Sequence, residues 1–576
     1  MKKSLSTMIC LLLSLTLILS ACGGGSSSEG SDKSSGQTTE QPAEELVTDG
    51  LIKASDASLS PELAKNRKDT MIIGITAPSG IFNPLYGETA YDNFINTTIF
   101  TSMIEVNKDG TYKEGIAEKW EISPDNLVYT FTLRDGLKFS DNTPLTADDV
   151  AFSLTVLHDK SYDGPSDIIK DAHIKGGKEY KEGKATSIEG IKVLDPRTIQ
   201  VTTTEVNALA FSSIGSVGVL PKAIYGKDYK QGNLGYMRDL FTIPVGNGPY
   251  KLEKFTPGQE AVLVANELFY QGKPKIEKLI YKFTTPETNV QLMQAGETDM
   301  DFIDVNKDTI EQLKEFGFVD VNLFPANSYG YIAFNHKHDQ FKDKRVRQAL
   351  TYGLNRKEIV DAVYQGYADV LNVPQSKVSW AYTDDVNKYD FDMEKAKQLL
   401  DEAGWKVGGD GIREKDGKKF KITFTATTPN PVNDAIIPLA QASYKELGIE
   451  FVAEQMDFNA AVDKRKKGDF DMMFLAWGLT PDPQSGENVF KSGGSQNDVG
   501  YSNPKVDELF TKAGAMVDTE KRKEVFKELY KELNEDLPYI FLYQRRDMWA
   551  NNARLQGFDM SPYRNFTYSL PQLQIQ

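Results

Sequence analysis

The sequence predicts an α/β protein with mixed sheets, divided into lobes. Three observations predict it. At 576 residues the chain is too long for one ordinary core, so two or three lobes are expected. Short alternating segments read as strands. In LVYTFTLR (127–134), Tyr129, Phe131 and Leu133 share one face, and Thr130, Thr132 and Arg134 share the other. Capped amphipathic helices alternate with such strands along the chain, which is the α/β pattern.

At the N-terminus, Lys2 and Lys3 precede an apolar run from Met8 to Leu19. The run is shorter than the roughly 20 residues of a spanning helix but suits a secretory signal core. Leu19-Ser20-Ala21-Cys22 resembles the lipobox of bacterial lipoproteins. That resemblance implies a signal peptide over 1–21, cleavage before Cys22, and a diacylglyceryl group on Cys22 that holds the protein on a lipid bilayer. Residues 22–61 are dominated by Ser, Gly, Gln and Glu and carry too little apolar area to offset ordering entropy, so they are expected to form a flexible tether. No later run of 18 apolar residues occurs. The body is therefore expected outside the cell, on the outer face of a Gram-positive membrane or in a Gram-negative periplasm.

In the body, MIIGITAP from Met71 reads as a strand ended by proline. Thr146-Ala147-Asp148-Asp149 reads as a capping box opening a helix through Leu157. Arg345 to Tyr364 reads as one helix with Val346, Leu350 and Leu354 on a stripe. Met393 to Ala403 reads as another, with Gly404 as its C′ residue, and KITFTAT (421–427) reads as a strand.

Composition excludes several function classes. The formal charge of -16 repels phosphate backbones, so no nucleic-acid partner is expected. A mean hydropathy of -0.42 argues against a polytopic membrane protein. The two cysteines are Cys10 and Cys22, so the body has no internal disulfide, thiol nucleophile or cysteine zinc site. No Walker A, G-x-S-x-G or H-E-x-x-H pattern occurs, and an extracellular hydrolase would lack a recognisable constellation. His336-Lys337-His338 has chelating spacing, but among charged neighbours it reads as a solvated pair. No metal, cofactor or catalytic residue is expected.

Residues 117–154, AEKWEISPDNLVYTFTLRDGLKFSDNTPLTADDVAFSL, carry a resemblance. The segment is similar to the signature of family 5 extracellular solute-binding proteins, the oligopeptide, dipeptide and nickel binders of ABC importers. Further blocks follow in the family's order: GNGPYKL (246–252), FKDKRVRQALTYGLNRKEIV (341–360), EKAKQLLDEAGW (394–405), GYSNPKVDELF (500–510) and LNEDLPYIFLYQ (533–544). The resemblance implies a two-lobed, Venus-flytrap fold with a two-segment hinge. It maps lobe I to 62–323 with an inserted subdomain near 110–240, lobe II to 324–556, and a return to lobe I over 557–576. Closure around ligand is then a hinge motion that an importer reads.

In peptide-binding relatives the ligand lies extended between two segments and adds to them like a strand. On this chain those segments match Ala476-Trp477-Gly478 and Glu88-Thr89-Ala90. Trp477 offers a flat apolar face, and Gly478 permits close backbone approach. The packing alternative for Trp477 is a core residue of a buried strand. Relatives carry an aspartate three residues after this tryptophan to meet the ligand's α-ammonium, whereas Thr480 stands here. Asp482, Glu88 or Glu487 would have to substitute, or the ammonium is not read by an acid. The resemblance also brings Arg465 near a ligand carboxylate or carbonyl, with membership of the exposed run KRKK as its alternative. Asn247 is brought to the cleft flank, with a turn role as alternative. Tyr162, Tyr331 and Trp380 are pocket-wall candidates that could equally be packing, and the shared parity of Tyr329 and Tyr331 places one of them toward the cleft. The leading expectation is a monomeric, non-enzymatic receptor that captures peptides and delivers them to the permease subunits of an ABC importer. The alternative keeps the fold and changes the ligand to nickel, a metal chelate or an oligosaccharide.

Overall fold

The computed structural model describes residues 47–576. Cys22, the expected signal segment and the tether as far as residue 46 lie outside the described residues. The tether expectation fails for its last part. Gly50–Ile52 forms a strand antiparallel to Val319–Pro325, with Leu51 opposite Asn322, and short helical turns follow at Ala57–Leu59 and Glu62–Lys65. Leu51 stays exposed and Ile52 is only partly buried, so the segment adds little to the core. It is ordered because an existing sheet edge satisfies its backbone groups.

One path of strands crosses the molecule. It runs from Glu450–Met456 through Lys421–Thr427, Met472–Gly478 and Ser328–Phe334 to the long strand Tyr539–Asn552. From there it continues through Met300–Phe302, Thr70–Ile75, Lys278–Phe283 and Glu260–Ala265 to Tyr250–Thr256. Parallel and antiparallel pairs both occur, so the sheets are mixed. Tyr539–Asn552 belongs to both halves. Tyr539 to Tyr543 pair with Ser328–Phe334, whereas Arg546 to Asn552 pair with Val319–Pro325. The chain therefore changes sheets within this strand, ahead of the expected boundary at 557. Its neighbour changes at the same level, between Pro325 and Ser328. The two crossings are fastened together: Ala326 N donates to Arg545 O at 3.0 Å, and Gln544 Nε2 donates to Ala326 O at 2.7 Å.

A separate four-stranded sheet, Ala117–Ile122, Val128–Leu133, Thr198–Thr202 and Ile191–Asp195 in spatial order, lies within residues 117–202. Tyr129, Phe131 and Leu133 are buried on one face, as the alternation predicts. The helix Ala147–Leu157 begins with the predicted capping box, Thr146 N donating to Asp149 Oδ2 at 2.8 Å. The single helix expected over 345–364 is instead two, Lys344–Tyr352 and Arg356–Tyr364. Asn355 breaks it, because its side chain caps the second helix by accepting from Glu358 N. Met393–Glu402 and Lys421–Thr427 form as expected, and Gly404 adopts φ +87°.

Asp301 shows how closely lobe I is packed. It lies on Met300–Phe302 opposite Gly74, is 1% exposed, and sets its carboxyl where a Cβ on residue 74 would fall 1.7 Å from Oδ2. Only glycine fits there. Burial pushes the Asp301 carboxyl up to about 7, partly offset by hydrogen bonds from Thr284 and the Phe302 backbone. A folded-state pKa above the unfolded value gives stability that is complete below about pH 4 and lost as pH rises through about 7. Asp301→Asn should therefore flatten that decline. The difference in thermal midpoint, variant minus wild type, is expected to grow more positive from pH 4 to pH 8, and a constant difference would refute it.

Candidate ligand-binding site

Met472–Gly478 pairs with Ser328–Phe334 along its whole length, Trp477 lying opposite Tyr329 and Ala476 opposite Gly330. On its other side Lys421–Thr427 pairs only at Met472 and Met473. The remainder of that edge is uncovered by strand pairing. Leu479 N donates to Asn327 O and Asn335 N to Asp471 O, which fixes the hydrogen-bonding parity. Residues 475 and 477 accordingly direct their backbone groups to the Ser328–Phe334 strand, and Ala476 and Gly478 direct theirs to the open edge. Both are exposed, and a Cβ at Gly478 would meet nothing within 4 Å. The glycine relieves no clash within the chain; it keeps the open edge clear.

Trp477 is half-buried above an aromatic stack. Its ring lies parallel to Tyr331, 6.2 Å between centroids and 4° apart, and Tyr331 in turn stacks on Tyr539 at 4.3 Å. The Arg465 guanidinium sits 5.3 Å from the Trp477 ring, and its Nε lies 3.2 Å from Asp498 Oδ2. Arg465 is therefore held by an acid and a ring, and is neither a solvated member of KRKK nor an unpaired reader of carboxylates. Tyr331 is 1% exposed and supports Trp477 from behind, while Tyr329 lines a hollow beside it.

In the other lobe, Thr89 caps the helix Ala90–Ile99. Its hydroxyl donates to Asp92 Oδ2 at 2.6 Å, and the buried Asp92 carboxylate also accepts from the backbone of Ser79, Gly80 and Ile81. These bonds leave Glu88 and Ala90 exposed at a rigid helix start. Lys466 Nζ reaches Glu88 Oε2 at 3.2 Å, and Ala208 N donates to Gly514 O at 2.8 Å, so the lobes touch beside the cleft.

The substitutes expected for an ammonium-reading acid are engaged elsewhere. Asp482 accepts from both Nη atoms of Arg522, at 2.7 and 2.6 Å, and caps Pro483–Gly486 through Gln484 N. Glu487 accepts from Lys491 Nζ at 2.6 Å and Gln484 Nε2 at 2.7 Å. Thr480 is exposed, its hydroxyl donating to Asp482 O and meeting Ser485 Oγ.

Three residues brought to the cleft by resemblance have partners within the fold. Tyr162 is buried, with its hydroxyl donating to Leu85 O at 2.5 Å and its ring against Tyr86. Asn247 is buried and fastens Thr101, accepting from its N and donating to its Oγ1. Trp380 lies under the Arg522 guanidinium at 5.2 Å and meets Phe526 edge-on. The expected solvated histidine pair divides. His336 Nε2 faces Pro538 O at 3.0 Å, and burial together with the Arg347 guanidinium pushes its pKa down to about 4. His338 Nδ1 turns instead to Asp471 at 2.6 Å. Among the described residues no group of three potential metal-ligating side chains occurs. Arg522 and Asp498 are the partners of candidate site residues that sequence reasoning missed. Both act across 30 or more positions of sequence, on Asp482 and Arg465, and no local spacing announces them.

Two lobes, one carrying an open strand edge at Ala476 and Gly478 and the other a capped helix start at Ala90, joined by the Lys466–Glu88 pair, define a two-lobed binding-protein fold. The chain belongs to the bacterial extracellular solute-binding proteins, family 5, whose middle region matches residues 111–498. These are the solute-binding proteins of ABC importers. The chain is 29% identical to the oligopeptide-binding protein AppA of Bacillus subtilis over 98% of this chain and 97% of that one. The structure of that AppA in complex with a nonapeptide superimposes with a TM-score of 0.80, at 28% identity, covering 88% of this chain and 99% of the other. NikZ of Campylobacter jejuni, in complex with Ni(L-His), gives 0.76 at 27% identity over 88% and 99%. The heme-binding protein A of Haemophilus influenzae is 26% identical over 96% of each chain. Among the described residues no helix is long and apolar enough to cross a membrane.

Proposed function

We propose that the protein captures extracellular peptides between its lobes and passes them, unaltered, to the permease of an ABC importer, while an acylated Cys22 keeps it on the membrane. The open edge at Ala476 and Gly478 carries this reading. Its outward amide and carbonyl groups have the spacing of a β-strand, so an extended peptide main chain satisfies them whatever its side chains are. The helix start at Glu88–Ala90 supplies the facing wall. The fastened crossings at Ala326 and Gln544 are the axis about which the lobes close, and the Lys466–Glu88 pair is one contact made on closure. The likeness to AppA supports a peptide ligand, and the engagement of Asp482, Glu487 and Glu88 favours binding through the main chain over reading of a terminal ammonium. The two crossings and the change of sheet near residue 545 favour a lobe II that ends earlier than 556.

Protein purified without refolding is expected to carry short peptides, identified by mass spectrometry of the denatured eluate. A nickel chelate or an oligosaccharide in that eluate would overturn the peptide reading.

A further inference from the structure

Beneath Gly478 to Thr480, a cavity of about 170 Å³ opens beside the strand edge. Its walls include Trp477, Val489, Phe490, Phe510 and Tyr530, with Gln496 among the polar groups, and no residue lining it carries a charge. The nearest charges along the chain are mutually neutralised. Asp482 and Glu487 bracket the lining residues Pro483, Ser485 and Gly486, and they are held by Arg522 and Lys491 respectively. Arg465, across Trp477, is held by Asp498. Among the lining residues a cationic side chain finds no carboxylate, and an anionic one finds no guanidinium or ammonium. Either would surrender hydration without a compensating partner. An uncharged ring or branched chain surrenders little and gains contact with the aromatic and aliphatic walls. The volume suits it, since an apolar cavity of about 150 Å³ accommodates benzene.

We infer that this hollow is a selectivity pocket of the cleft, taking one uncharged, ring-sized or branched side chain of the ligand and rejecting Lys, Arg, Asp and Glu at that position. The inference rests on the peptide reading and adds a side-chain preference to a main-chain mode of binding that has none. Gly478 both lines the pocket and lies on the open edge, so a residue of an added strand that faces Gly478 points its side chain toward or away from the pocket according to parity. One position of the ligand, not all, should therefore be selected.

The test is calorimetric titration of the full chain, freed of copurified ligand, with alanine pentapeptides carrying a single Phe, Lys or Glu at each position in turn. At one position Phe is expected to bind about tenfold or more tighter than Lys and Glu, while the other positions discriminate far less. Gln496→Glu changes a half-buried side chain on the pocket wall and is expected to strengthen the Lys peptide at that same position alone, by about threefold or more. Peptides that bind without discrimination at any position would overturn the inference and leave the peptide reading intact. A Lys gain at a different position would overturn the placement of the pocket. Failure of every pentapeptide to bind would overturn both readings.

Discussion

Arg356→Ala is expected to lower the stability of lobe II by about 4 kcal/mol or more, the scale of removing a buried, fully hydrogen-bonded charge. The side chain is 5% exposed, and its guanidinium is held by carbonyl oxygens instead of a carboxylate. Nη1 donates to Leu371 O at 2.9 Å and Phe541 O at 2.7 Å. Nη2 donates to Asn372 Oδ1 at 3.0 Å and Tyr389 O at 3.1 Å, and also reaches Lys388 O. One side chain thus joins the Arg356–Tyr364 helix, the Tyr539–Asn552 strand and the 371–372 and 388–389 segments. Burial pulls its pKa down to about 10, which leaves it charged at physiological pH. Truncation would strand several buried carbonyls, each costing about 1–3 kcal/mol unless water enters. Arg356→Lys keeps the charge but replaces a planar five-donor fork with three donors at a point, so it should recover only part of the loss. Guanidinium chloride unfolding measures both variants. A loss below about 1 kcal/mol for alanine would show that water replaces the guanidinium at little cost.

The same residue shows what the sequence disclosed and what it concealed. Arg356 lies in the NRKE stretch that begins at Asn355, a capping pattern sufficient to end one helix and begin another. The apolar stripe nevertheless continues through Leu350 and Leu354 and hides the break. Local devices were legible where they are self-contained, as with the Thr146–Asp149 box, the Tyr129–Leu133 alternation and the Gly404 terminus. Each depends on neighbours within a few positions. The cleft was legible only as two short segments, because the open edge arises from how far Lys421–Thr427 extends alongside Met472–Gly478, a tertiary fact. The fate of Asp482 depended on Arg522 in a different helix, and that of Tyr162 on the carbonyl of Leu85. The Gly50–Ile52 strand was missed for the converse reason. Its order is supplied by the edge it pairs with, and a strand of three residues is too short to show a period of two.

Trp477→Ala is expected to weaken ligand binding about tenfold or more, equivalent to ~1.4 kcal/mol or more. The argument starts from rigidity. The indole rests on Tyr331, Tyr331 rests on Tyr539, and the Arg465 guanidinium, paired with Asp498, lies 5.3 Å from the ring, so the ring is held before any ligand arrives. A ligand that packs on it therefore loses little additional side-chain entropy, which is the condition under which an aromatic wall contributes most. Alanine removes that wall, enlarges the mouth of the neighbouring hollow and leaves the Arg465 guanidinium without its ring. The cost in folding should be smaller than for a core tryptophan, because the ring is only half-buried and solvent can occupy part of the space. Trp477→Phe preserves an apolar face on the same stack and should retain most of the affinity. Titration of the stripped variants with the peptides recovered from the wild-type eluate separates the cases. An alanine variant with wild-type circular dichroism and an unchanged Kd would make Trp477 a packing residue and move the apolar wall of the cleft elsewhere. A loss shared by every peptide, independent of sequence, would place the ring against the ligand main chain, where an added strand has to lie.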